Sequence, residues 1–138
     1  RGTVGVDRRF AVGGRDLYLI VEYQRDGFGA RDADELFQTG LSGPFQRGEL
    51  QLLARDAVTA QVSYQIHPLW AADILALTSL SDGSVPLSGG ATWAFASNSS
   101  LRGGTFLAFG DDTLGPSAFG SEFGLTPTVL YLSLTHFF

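Results

Sequence analysis

The stretch Val129-Leu130-Tyr131-Leu132-Ser133-Leu134-Thr135-His136-Phe137-Phe138 decides how this chain is read. Side chains alternate across a strand with a period of two. Leu130, Leu132, Leu134, His136 and Phe138 therefore share one face, and Val129, Tyr131, Ser133, Thr135 and Phe137 share the other. One face is greasy and the other mixed. Such a strand suits either a wall with lipid on its greasy side or the last strand of a soluble β-sandwich with a core there.

Composition narrows the choice. With 138 residues the chain is long enough for one domain with a core, read as a single unit over 1–138. It has no Cys, which removes a disulfide framework and thiolate metal sites. A net charge of -5 without a basic cluster argues against nucleic acid as a partner. No run approaches the roughly 18 apolar residues of a membrane-spanning helix. From Val58 onward there is one Arg, Arg102, with five acids, which is sparse for a water-facing surface and tolerable for a lipid-facing one.

Six further strands precede the last. Thr3–Val12 and Asp16–Gln24 flank Gly13-Gly14, a tight-turn signal. In residues 55–66, Val58, Ala60, Val62, Tyr64 and Ile66 alternate with Thr59, Gln61, Ser63 and Gln65. Trp70–Leu80, Leu87–Ser97 and Leu101–Gly110 follow, then a Gly- and acid-rich loop over Asp111–Leu125. Within the long connection after the second strand, Asp32 to Gly40 reads as a short helix with Asp32 as N-cap and Gly40 past its end. A helix of this kind can lie over or inside the mouth of a barrel.

Most of these strands run to about nine to thirteen residues, near the 9–11 or so of a tilted membrane-crossing strand and longer than the usual five or six. Connections alternate between very short ones, at Gly13-Gly14, His67–Leu69 and Asn98–Ser100, and long ones. Bacterial barrels have short periplasmic turns and long outer loops.

With this alternation behind it, the terminal strand resembles the assembly signal of Gram-negative outer-membrane β-barrel proteins of porin-like type. Leu130, Leu132, Leu134, His136 and Phe138 carry the match. His136 departs from it, since the pattern has an aromatic residue two positions before the last. The resemblance implies an all-β, antiparallel, up-and-down transmembrane β-barrel integral to the outer membrane. It also implies lipid, lipopolysaccharide and the barrel assembly machinery as partners.

About seven strands are visible, an odd number, whereas single-chain bacterial barrels have even counts with both ends periplasmic. If Phe138 ends in the periplasm, the first strand begins outside the cell. The expectation is therefore the C-terminal portion of a larger even-stranded barrel, sealed by missing N-terminal strands. The lack of a signal peptide before Arg1 fits the same reading.

On this assignment Asp7, Arg9, Glu22, Asp73 and Arg102 are the lumen-facing charges, able to set solute selectivity. They could equally pair with one another, Arg9 with Glu22 being one candidate. His67 and His136 lie at a periplasmic turn and in the terminal strand, away from any Ser and acid on the outer side, so no catalytic residue is expected. The loop acids Asp32, Asp34 and Glu35, or Asp111, Asp112 and Glu122, could hold a cation bridging to lipopolysaccharide phosphates, yet solvated loops carry such residues routinely. No metal or cofactor is expected. Two functions suit the pattern: a channel or porin-like transport wall, and a structural or interaction barrel with a plugged lumen that holds a partner protein.

Overall fold

A computed structural model describes residues 1–115 and 118–138. The chain is all-β. Six strands follow in order, β1 (Gly2–Val12), β2 (Arg15–Arg25), β3 (Asp56–His67), β4 (Trp70–Ser79), β5 (Val85–Ala96) and β6 (Ser99–Phe109). Two short ones, β7 (Leu114–Gly115) and β8 (Ala118–Phe119), form a separate hairpin, and β9 (Val129–His136) ends the chain. The main sheet has seven strands in the order β1-β2-β3-β4-β5-β6-β9, each antiparallel to its neighbours. It is an open meander: among the described residues β1 and β9 each have one unpaired edge.

Turn chemistry explains the tight connections. Gly13 and Gly14 both have positive φ, 58° and 73°, which a two-residue type I′ hairpin requires and a side chain resists. The next two short turns are each preceded by a register shift, at Gln65/His67 and Ala94/Ala96. Such bulges increase local twist and suit the rim of a curved sheet. The third turn is Ser97-Asn98, so Ser99 and Ser100, expected in the turn, belong to β6 instead.

The long connections differ more from expectation. Asp32 does cap, accepting from the Glu35 amide at 3.3 Å while the Glu35 carboxylate accepts from the Arg31 amide at 2.9 Å. The capped element is a single 3₁₀ turn, Ala33–Glu35, that leads into α1 (Leu36–Gly40). Gly40 is the last residue of α1 rather than the one after it, and the C-cap Leu41 keeps right-handed backbone. A second helix, α2 (Gly43–Gln46), was not legible; Ser42 caps it and Pro44 opens it. Residues 116 and 117 of the expected third loop lie outside the described residues.

Burial is confined to one end. Among the described residues Ala30, Leu36, Leu50, Ala54, Ala57 and Pro86 are the buried apolar residues, and Asp26, Thr39, Ser79, Ser84 and Ser121 are also buried, where the long connections meet the sheet. Among the described residues neither face of the sheet is covered by a core. The row Arg8, Leu19, Val62, Ile74, Gly89, Thr105, Leu130 crosses all seven strands on one face and is apolar except at Arg8 and Thr105. Leu130 and Leu132 on that face are 80% and 74% exposed. A sandwich strand would bury such leucines, each worth about 1.5–3 kcal/mol.

Candidate functional site on the polar face

One cross-strand row organises the opposite face. Arg9 pairs with Tyr18, Tyr18 with Ser63, Ser63 with Asp73, Asp73 with Gly90, Gly90 with Gly104, and Gly104 with Tyr131. Directly opposed residues of an antiparallel sheet lie on the same face, so the row runs unbroken across seven strands. It borders a concavity of about 790 Å³ near the short turns, walled by Arg9, Tyr18, Ser63, Asp73, Thr92 and Arg102. Residues of six consecutive strands, β1 to β6, wall this one hollow.

Arg102 is the centre of this face. Its Nη1 and Nη2 donate to the two carboxylate oxygens of Asp73 at 2.7 and 2.8 Å, a bidentate pair. Nη1 also donates to Thr92 Oγ1 at 3.1 Å, and Nε donates to the Tyr131 hydroxyl at 3.1 Å. One guanidinium thus joins β4, β5 and β9 from its seat on β6.

Glycine makes room for it. A Cβ on Gly90 would come within 3.0 Å of Arg102 Nη2, and one on Gly104 within 2.5 Å of the Tyr131 hydroxyl. The Arg102 and Tyr131 side chains lie flat on the sheet because these two positions carry none.

A second group lies at the other side of the hollow. The Tyr18 hydroxyl donates to Asp7 Oδ2 at 3.1 Å, and the Arg9 guanidinium stacks 5.5 Å from the Tyr18 ring centre. Glu22 folds across Gly5, whose Cβ would meet its Cγ at 2.8 Å. Arg9 and Glu22 do not pair: Arg9 sits opposite Tyr18 and Glu22 opposite Gly5. The five charges all share the polar face, as alternation required, but the partnership that forms is Arg102 with Asp73.

No protein-family model, curated protein or solved structure matches the chain.

The terminal strand has its own local order. Leu130, Leu132, Leu134 and His136 lie on the apolar face. His136 stands opposite Ser99, and its Nδ1 is hydrogen-bonded to Ser99 Oγ at 2.7 Å. Phe138 meets the His136 ring edge to face at 4.8 Å. The Phe137 amide donates to the Asn98 carbonyl at 3.0 Å, and Asn98 Nδ2 donates to the Phe137 carbonyl at 2.9 Å. His136 thus ties the last strand to the start of β6, and Phe137 ties it to the third short turn. Among the described residues no carboxylate hydrogen-bonds it, so the Ser99 pair lacks the acid that orients a catalytic imidazole.

At the far end, the three long connections are fastened together. The Glu122 carboxylate accepts from the Leu53 and Ala54 amides at 2.6 and 3.0 Å, and the Glu122 amide donates to Asp82. Asp82 also accepts from the Ser84 amide and hydroxyl at 3.1 and 2.9 Å. Burial, with the Asp82 charge nearby, pushes the Glu122 carboxyl above its ordinary range despite its two amide donors. For Asp82 burial acts the same way, but its hydrogen-bond donors outweigh it and hold the carboxyl low. Asp111 accepts from the Thr113 amide at 2.9 Å. Among the described residues no three His, Asp or Glu converge as a metal site.

Proposed function

We propose that the chain is a wall of an outer-membrane β-barrel whose polar concave face lines a charged, water-filled pore. One observation carries the reading: a seven-stranded meander with a bare apolar face on one side and a charged hollow on the other. A lipid environment makes the exposed leucines favourable, and water suits the charged opposite face. The unpaired edges of β1 and β9 would then be sealed by further strands, since open backbone in hydrocarbon costs several kcal/mol per group.

Aromatic residues bound the apolar face and support this orientation. Trp70 and Trp93 stack at 5.5 Å near the short turns, and Phe109 lies exposed near the long connections. From the Trp93 row at Leu101 to Phe109 is roughly 26 Å along β6, or about 20 Å of depth at a ~40° tilt. That is comparable with the ~25 Å apolar band of such barrels. The short turns would face the periplasm and the long connections the outside, beside lipopolysaccharide. The β9 edge would be offered to the barrel assembly machinery.

Solute passage is the function this geometry serves, with the Arg102–Asp73 pair and Arg9 setting the field in the lumen. Tying of the long connections at one end favours the second reading, a plugged barrel that holds a partner. Conductance in planar bilayers separates them: stepwise current, with cation-to-anion selectivity altered by D73N or R102M, is expected of the pore. A silent bilayer containing folded protein would overturn it.

A further inference from the structure

Between the first and third long connections lies a second hollow, of about 330 Å³, that the pore reading does not use. Phe37 of α1, Phe45 of α2 and Phe119 of β8 form its walls, with Leu53 behind them and Leu41 and Leu125 at an exposed rim. Phe37 and Phe119 meet edge to face at 5.4 Å. Glu122 is the one charged residue on its lining among the described residues. No basic group stands within 4 Å of Glu122 or Asp82 among the described residues: the ion pairs there are Arg25–Asp56, Arg47–Glu49 and Arg102–Asp73.

We infer that this hollow is a binding site for a small organic monocation with an apolar body, such as an arylammonium. Three features converge on that class. The volume lies in the lower range of small-molecule sites, and the walls are apolar with few polar groups. Aromatic rings attract a cationic head through their faces. A partly buried carboxylate, with a second at Asp82 behind it, supplies negative charge that no side chain neutralises.

Glu122 keeps capacity for the ligand. Its two oxygens offer about four acceptor sites, of which the Leu53 and Ala54 amides occupy two. The raised affinity of this carboxyl for its proton has the same origin, burial without a counter-charge, and a bound cation relieves it. The site is independent of whether the sheet lines a pore.

Isothermal titration of the full chain in an uncharged maltoside detergent tests the assignment, with benzyltrimethylammonium and its neutral isostere neopentylbenzene as probes. The cation is expected to bind at least tenfold tighter than the isostere. E122Q keeps an acceptor for one amide and should abolish that preference, the two probes then binding alike. L41R places a guanidinium at the exposed rim and should weaken the cation at least tenfold. Equal affinity for the two probes, no saturable heat from the cation, or wild-type affinity in L41R would overturn the proposal.

Discussion

Arg102 concentrates more of this molecule's chemistry than any other residue. Removing it leaves the Asp73 carboxylate and the Tyr131 hydroxyl without their donor on a face where both side chains of the ion pair are about two-thirds covered. R102M is expected to lower stability by about 1–3 kcal/mol, measured as a shift of the denaturant midpoint. D73N should cost no more than that, because Arg102 keeps Thr92 and Tyr131 as acceptors. Gly104 gives a second expectation. Its Cβ would also meet the Gly89 carbonyl at 2.7 Å, so G104A forces both backbone and Tyr131 to move. A loss of about 1–3 kcal/mol is expected, with the Y131A background recovering only part of it. Alternation alone placed Asp73 and Arg102 on one face. Their pairing was not legible, because it depends on the register between β4, β5 and β6, which brings residues 29 apart to 2.7 Å.

Among the elements, the long connections are where sequence reading fell furthest short. The Asp32 cap was legible because capping chemistry is local, with donor and acceptor within three residues. In the sequence Glu122 looks like one of several solvated acids, since nothing near it in the chain indicates that it reaches the Leu53 amide, 69 residues away. E122A is expected to speed hydrogen exchange at the Leu53 and Ala54 amides by roughly 10–100-fold, as loss of about 1.4–2.8 kcal/mol of local protection implies. Its pH dependence has a defined sign. Glu122 holds its proton more tightly folded than unfolded, so its ionisation subtracts stability as pH rises from about 4 through the raised value. Asp82 runs the other way, stabilising above about 4 and losing that contribution as pH falls through its lowered value. Denaturant midpoints from pH 4 to 7 should therefore decline less in E122Q than in the parent chain.

For the whole molecule the question is which solvent meets the apolar face. Leu132 lies in the row with Phe10, Leu17, Tyr64, Ala72, Ala91 and Gly103, and it is largely exposed. In a bilayer L132R should cost about 2–4 kcal/mol in refolding into vesicles, whereas a water-facing position would register within about 0.5 kcal/mol. The second outcome would sink the membrane reading.

The seven strands of the main sheet, the alternation of faces and the alternation of short and long connections were determined by the sequence alone, because period-two patterning and glycine turns are local properties; the small β7–β8 hairpin inside the expected third loop was not. The same patterning put Leu130, Leu132 and Leu134 on the greasy face. Only the tertiary structure decided that Arg102 joins Asp73 and Tyr131, that His136 is satisfied by Ser99, and that Glu122 fastens the loops. Those contacts rest on register and on chain closure across tens of residues, and no local pattern encodes either.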